Sequence, residues 1–570
     1  MQLSKNRLLR LLVLLFAFSL VAAACGGDDG DDDAGETQTT EAMAEEEADD
    51  HDEDDGHDHD HEEEMASDES EEEAGGLSQD VIEQASEEEE MADDEMMADE
   101  EMMEFDRSTI EGIFEEAEFR RAKVVERITA HIESGEWGVG DDNILRGPEG
   151  FVIDLNECPD DWSNTEGITD TEIRLGQTGP QSGTLALYGN ARLGWQTYLL
   201  HVNAEGGIAG RDVVMKSYDD AYVAAQTIEF VDELIENDNV FAIHTLGSPN
   251  TLAVYDTLNA ECIPQPFVWT GHPAWGDPEV HPWTTGSILS YSTEAVLWGN
   301  WIKENLADEL PVVVAGLVMD NDFGLAYELG FEEYAHNNPD VVSEFVPVRH
   351  DPASPTITNE ITTIAASDPD VYISMTAGNA CLLAVQEVAA SGLKDEISAA
   401  FTPSVCKAPA SWIRPAGDDG HGWYIVGGGL KDTTDPALIG SDAFIDFIIE
   451  SLEANDLDPT IAMFGNGYML GYPYVEALRI AAELPASANN PAGLNRANFI
   501  LAVRAIDIYH PIFLDGITFA MNGNADAFPI EGTDISQYDS STHSWIVSNV
   551  IDVNGASGNC VWDKDNGGCR

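Results

Sequence analysis

The chain has 570 residues, and its 109 acidic side chains against 24 lysines and arginines leave a net charge of -85. Such an imbalance excludes nucleic acid as a natural partner, because phosphate contacts need clustered cations, and it keeps the chain soluble through self-repulsion. The stretch after residue 150 is longer than one hydrophobic core normally serves, so two lobes are expected.

Taken in order, Lys5, Arg7 and Arg10 precede an apolar run from Leu11 to Ala24. The run is short for a bilayer span and has the flanks of an export signal, which assigns residues 1–24 to a signal peptide. Ala22, Ala23 and Ala24 lead into Cys25-Gly26, which resembles a bacterial lipobox with alanine in the place usual for leucine. Processing there makes Cys25 the lipidated N-terminus and holds the chain at the outer face of a membrane.

Residues 25–104 are dense in Asp and Glu, with no Lys or Arg and few large apolar side chains other than methionine. No core can offset the entropy of ordering them, so they are expected to form a disordered tether. Within it His51, His57, His59 and His61 alternate with acids, a composition that binds transition metals only weakly; no metal and no cofactor are assigned. From Phe105 to Trp137 the spacing of Ile110, Ile113, Phe114, Ala117, Val124, Ile128 and Ile132 predicts one amphipathic helix. Residues 105–150 are therefore expected as a helical stalk, with packing on the following domain as the other reading.

The alternating part of the chain begins at Ile173-Arg-Leu-Gly-Gln-Thr-Gly-Pro-Gln-Ser-Gly183, which reads as strand, tight loop and helix start. Leu193, Trp195, Tyr198, Leu199 and Val202 continue the helix, Gly206-Gly207 stops it, and Val213-Val214-Met215 restarts a strand. Strands then alternate with helices, which predicts an α/β architecture of mostly parallel sheets with helices on both faces. Pro311 to Met319, PVVVAGLVM, reads as a fully buried strand, and Val371 to Met375 continues the pattern.

This order, with Asn203-Ala-Glu-Gly-Gly-Ile-Ala-Gly210, Ile263-Pro264-Gln265 and Trp275-Gly276-Asp277-Pro278, resembles the leucine/isoleucine/valine-binding family of solute-binding proteins over about residues 172–550. The resemblance implies a two-lobed type I periplasmic-binding fold with three crossings between lobes, which closes like a clamp. In a solute-binding domain at 151–570, lobe one is expected at about 170–287 and 428–512, and lobe two at about 288–427 and 513–570. The implied function is capture of a small polar ligand, an amino acid or related amide or carboxylate, for delivery to an ABC permease; a ligand sensor working with a separate transducer is the alternative.

The resemblance also places a site. Thr270 and Gly271, with Ser248, Asn250 and Thr251 at a helix start, fall where the family presents hydroxyls and backbone N–H groups to a carboxylate. Gln181, Ser182 and Tyr188 belong to the first loop and its exit, Trp269 offers an apolar wall, and Phe323 takes the place of the family's covering aromatic ring. Where family members put a carboxylate for the ligand's ammonium group, this chain has Asn379, so Asp322 or Asp320 is expected to substitute, or the ligand is not an ordinary α-amino acid.

Cys158, Cys262, Cys381, Cys406, Cys560 and Cys569 are an even number in an exported chain, which favours disulfides. Sequence leaves their pairing open; joining neighbours gives Cys560 with Cys569, Cys381 with Cys406 and Cys158 with Cys262. No G-x-S-x-G elbow, H-E-x-x-H helix or P-loop falls in a strand-turn-helix context, so no catalysis is expected. Asp563 to Gly567 has part of a calcium-loop pattern without its closing Glu and reads as a turn.

Overall fold

The computed structural model describes residues 105–555, 557–563 and 567–569. The signal peptide, Cys25, the acidic tether and its histidines lie outside the described residues, as do Lys564, Asp565 and Asn566 of the terminal turn.

Helix α1, Ile110–Ser134, opens on a Thr109 cap whose side chain accepts from the Gly112 N–H, and Gly135 closes it at φ 79°. Its apolar stripe is covered: Ile113, Ala117, Val124, Ile128 and Ile132 are buried within the largest hydrophobic core. Its charges are engaged as well. Glu116, 2% exposed, takes Arg107 at 2.7 Å and Arg120 at 3.0 Å, and Arg121 reaches the buried Glu476 at 2.8 Å. The expectation of a stalk is corrected accordingly, because a helix with this apolar face gains stability only where something covers it. Three short antiparallel strands follow, β1 (Gly138–Val139), β2 (Ile144–Arg146) and β3 (Val152–Asp154).

The first lobe is built on β4 (Glu172–Gly179), α2 (Ala191–Ala204), β5 (Asp212–Asp219), α3 (Ala224–Glu236) and β6 (Ala242–His244). β4 lies between β5 and β6, parallel to both. Two short helices, α4 (Ser248–Leu252) and α5 (Tyr255–Ala260), lead to β7 (Gln265–Val268), and β8 (Thr284–Gly286) runs parallel to it. Trp269 bridges Leu246, which joins β7 to the edge beyond β6. Loops at the carboxyl ends of these strands therefore share one rim, where ligands of open α/β sheets are held.

The second lobe follows α6 (Tyr291–Asn305) with β9 (Val312–Met319), α7 (Asp322–Asn337), β10 (Val342–His350), α8 (Thr358–Ala366), β11 (Val371–Met375), α9 (Asn379–Ala390), β12 (Ala399–Thr402) and β13 (Tyr424–Val426). β10, β9, β11, β12 and β13 form parallel neighbours in that order. Val312, Val314, Leu317 and Val318 are fully buried, as a strand covered on both faces requires.

The chain then returns through α10 (Ala443–Ala454), α11 (Ala462–Glu483) and α12 (Arg496–Arg504) to the first lobe, where α11 packs along α2 and receives α1. β14 (Asp507–Ile508) pairs with β15 (Phe519–Ala520), and Phe519 rests on Phe267 and His510. Only at β16 (Gly532–Asp539), antiparallel to β13, and β17 (Ser544–Asp552) does the chain rejoin the second sheet. The third passage thus comes later than the residue 513 expected, because Phe519 finds its cover in the first lobe. Two passages lie side by side: the Gly427 N–H donates to the Asp534 carbonyl and the Gly429 N–H to its carboxylate, with Gly428 and Gly429 at φ 63° and 68°.

Cys158 is bonded to Cys262, Cys381 to Cys406 and Cys560 to Cys569, the pairing of neighbours. Arg504, fully buried on α12, donates to the carbonyls of His281, Pro282 and Thr284 and so fixes the chain where it enters β8 just before the first passage. Among the described residues no helix is long and apolar enough to cross a membrane.

Candidate functional site

Between the two sheets lies a cleft enclosing about 830 Å³, its open mouth included. The first lobe contributes Leu185, Tyr188, Tyr222, Leu246 and Trp269, and the second contributes Tyr291, Phe323, Ala377 and Val405. Local folding explains these positions. Tyr188 follows the loop at the end of β4, Leu246 and Trp269 stand at the ends of β6 and β7, and Phe323 opens α7, whose Asn321 cap accepts from the Phe323 and Gly324 N–H groups. The rings stand at angles to one another, Tyr188 to Trp269 at 5.8 Å between centroids and Tyr291 to Phe323 at 5.1 Å, both edge to face.

The lobes are closed on each other. The Tyr188 hydroxyl donates to the Val405 carbonyl at 3.0 Å and accepts from the Gly378 N–H at 3.2 Å. The Thr184 hydroxyl donates to the Pro352 carbonyl at 3.2 Å. Gly378 sits at φ 65°, and a Cβ there would lie 2.6 Å from Leu185, so only glycine lets the loops meet this closely. The Cys381–Cys406 disulfide joins the segments that follow β11 and β12, which carry the two partners of Tyr188. Replacing Tyr188 with Phe should remove both inter-lobe hydrogen bonds while keeping the ring, weakening closure by roughly 1–2 kcal/mol. Faster amide exchange at Gly378 would report that loss; unchanged exchange would remove Tyr188 as the latch.

The polar part of the wall comes from the second passage and its surroundings: Ser404, Lys407, Lys431, Asp432 and Asn466. Lys407 is ion-paired with Asp534 at 2.5 Å, and Lys431 with Asp442 at 2.9 Å while donating to the Pro511 carbonyl at 3.0 Å. Asp432 accepts from the Thr434 N–H and hydroxyl, and burial pushes its carboxyl above the usual range. Directly behind Ser404, Glu294 accepts from the Ser404 N–H and hydroxyl and from the Tyr327 hydroxyl. Burial outweighs these bonds and drives its carboxyl up to about 8.

Of the residues the sequence assigned to the site, the structure brings Tyr188, Trp269 and Phe323 to the cleft wall. Ser248 and Thr270 lie just behind it, fully or almost fully buried, their hydroxyls bonded to each other at 2.7 Å. Thr251 bonds Thr245 at 2.8 Å, Asn250 donates to Thr227 at 2.7 Å, and the Gly271 carbonyl accepts from the Tyr291 N–H. Gln181 is turned to Asp219 and Ser217, and Ser182 is exposed. Asp322 is partly buried at the start of α7, outside the lining, and Asn379 is exposed at the start of α9. Neither of those two joins the wall, although their neighbours Phe323 and Gly378 do face the other lobe.

Sequence reasoning missed Lys407, Lys431 and Asp432. The available signal was the run Gly427-Gly-Gly429 ahead of Lys431-Asp432, a backbone suited to a passage between lobes with charge beside it. His244 and His272 are both buried and held neutral, their pKa values pushed down to about 3 by burial. No group of acids, histidines and cysteines among the described residues is arranged to hold a metal ion.

Residues 172–532 match the periplasmic binding protein family. The architecture is also that of several solved proteins. A fatty acid ABC transporter substrate-binding protein from Thermomonospora curvata shares 18% identity, covering 73% of this chain and 97% of its own, with a TM-score of 0.55. A branched-chain amino acid ABC transporter protein from Thermus thermophilus with bound valine shares 16%, covering 68% and 98%, at 0.57. An R. palustris solute-binding protein in complex with benzoate shares 16%, covering 69% and 98%, at 0.53. No curated protein matches the chain by sequence.

Proposed function

Since this chain belongs to the periplasmic binding protein family, with the type I two-lobed fold, we propose that it is a lipid-anchored solute receptor that delivers its ligand to an ABC importer. The family places it outside the cytoplasm and among proteins that bind small solutes for transport. Within that frame the ligand is an amino acid or a related amide or carboxylate, taken between the lobes and released by their opening.

One observation carries the reading: an aromatic cleft whose two walls come from different lobes and are joined across it by Tyr188. Such a site buries most of a small ligand, with a few polar groups to orient it. Closure of one lobe on the other makes capture and release a hinge motion about the paired passages at Gly427–Gly429. Anchoring is assigned to Cys25, on the lipobox-like Ala22-Ala-Ala-Cys25-Gly26. A binding role, without catalysis, is supported by the family, whose members are binding proteins.

The test is a thermal-shift screen of the exported chain, residues 25–570, with α1 retained, against amino acids, amides and small carboxylates. A ligand that binds only the folded clamp raises its melting temperature by mass action. A shift with one solute class supports capture; a folded protein that responds to no small molecule refutes it. Anchoring is read separately, since Cys25→Ala should release the protein from the membrane fraction without changing solute binding.

A further inference from the structure

We propose that the ligand carries a carboxylate on an apolar or aromatic body and no adjoining ammonium group, and that Lys431 and Lys407, in place of the buried hydroxyls of Ser248 and Thr270, receive that carboxylate. The inference rests on the solute-capture reading above.

The distribution of polar groups around the cleft carries it. Ser248 and Thr270 bond each other and neither lines the cleft, so the hydroxyls expected to hold a carboxylate are not presented to the cavity. Both cations of the lining border the second passage, since Asp534 Oδ1 accepts from Lys407 and from the Gly429 N–H two residues before Lys431. An ammonium has three N–H donors. Protein acceptors take one from Lys407, at Asp534, and two from Lys431, at Asp442 and the Pro511 carbonyl, so both have donor capacity to give a ligand. The side chains are only 10% and 12% exposed, and a charge-assisted hydrogen bond is stronger in such surroundings than in water.

The carboxylates that balance these lysines stand behind them. Asp534 is fully buried and Asp442 caps α10, accepting from the Phe444 and Ile445 N–H groups, and neither lines the cleft. An entering anion therefore meets the ammonium groups ahead of these two carboxylates, and the Asp432 carboxyl in the lining is biased toward its neutral form by burial.

An α-amino acid makes a second demand, an acid for its ammonium group. Asp432 is the acid in the lining; Thr434 donates twice to its Oδ1, and burial raises its carboxyl above the usual range, disfavouring the charged form that an ammonium group would need. Asp322 and Asn379 lie outside the lining, and Asp320 is 62% exposed beside Arg349. The remaining wall, with Tyr222, Leu246, Trp269, Ile288, Tyr291 and Phe323, suits a ring or a short alkyl chain.

Calorimetry on the exported chain, residues 25–570, decides the matter with benzoate and octanoate as the anions, benzamide as the uncharged isostere, benzylamine as the cation, and valine as the zwitterion. The expected order puts benzoate or octanoate at least about tenfold ahead of benzamide, benzylamine and valine. Lys431→Met should weaken the favoured anion by about tenfold or more while leaving benzamide unchanged. Lys431 is the better variant because Asp442 keeps its helix cap, whereas removing Lys407 strands the buried Asp534. The ligand order in the unaltered protein needs no variant to fold. Preference for valine, benzamide or benzylamine overturns the carboxylate proposal and leaves solute capture standing. Equal anion affinity in Lys431→Met removes the lysine as receptor. A folded protein that binds none of these, nor any solute of the wider screen, overturns both readings.

Discussion

A chain that begins at residue 138, without α1, is expected to lose the native fold of the first lobe. Ile113, Val124, Ile128 and Ile132 are buried by contact with the rest of the domain. Four such side chains contribute roughly 6–12 kcal/mol when buried, comparable with the net stability of a whole domain. The loss is not only apolar. Arg121 leaves the buried Glu476, which keeps Arg479 at 2.9 Å, and Arg127 leaves the Ala505 carbonyl at 2.6 Å. Arg107 also leaves Asp515 and the ring of Tyr509. The shortened chain should show weak near-ultraviolet circular dichroism and no cooperative melting, and Ile128→Ala in the intact chain should cost about 2–4 kcal/mol. A cooperative transition at the intact protein's melting temperature would return α1 to the role of a stalk.

That helix shows where reading the sequence stopped. Spacing of Ile113, Val124, Ile128 and Ile132 identifies an apolar stripe, but what covers a stripe is a property of the partner, and α11 lies more than three hundred residues further along the chain. Elements with a local cause were legible. Alternation at Ile173 and Leu175 and the glycine-rich loop after them became β4 and its rim, the run Pro311 to Met319 became β9, and neighbouring cysteines are bonded. The cleft was half legible for the same reason. Trp269 and Phe323 stand just beyond a recognisable strand end and helix cap, and Tyr188 at the exit of the glycine-rich loop, so their place follows from local structure. Lys407 and Lys431 do not. In a chain this acidic a lysine reads as a solvated counter-charge, and only the fold of the second passage against β16 turns these two inward beside Asp534 and Asp442. Asn379 is the reverse case: a polar residue at a helix start near the sheet rim looks like a ligand contact, yet it is exposed and outside the lining.

Stability is expected to fall as pH rises from about 4.5 to about 8, and Glu294→Gln should remove much of that fall. Glu294 is fully buried, and burial raises its carboxyl from 4.5 to about 8 despite the bonds from Ser404 and Tyr327. The folded protein then holds a proton that the unfolded chain has released throughout this window, so the sign is negative: stability drops with rising pH and levels off above about 8. The difference of 3.5 between the two values sets an upper bound of about 5 kcal/mol. Glutamine reproduces the neutral form, with an acceptor for the Ser404 N–H and a donor in place of the acid proton, so the variant should match the wild type near pH 4 and exceed it by about 2–4 kcal/mol at pH 8.5. Part of the slope will persist in the variant, because Asp526 is also driven up to about 8 by burial and by the neighbouring Glu531. Denaturant midpoints of both proteins across pH 4–9 give the comparison directly, and parallel curves would show that Glu294 is ionised in the folded state. The outcome bears on the cleft as well. Ser404 lines it, and an ionised Glu294 would set a further negative charge behind that wall, beside Asp534, so the neutral form is the one compatible with receipt of an anion by Lys407.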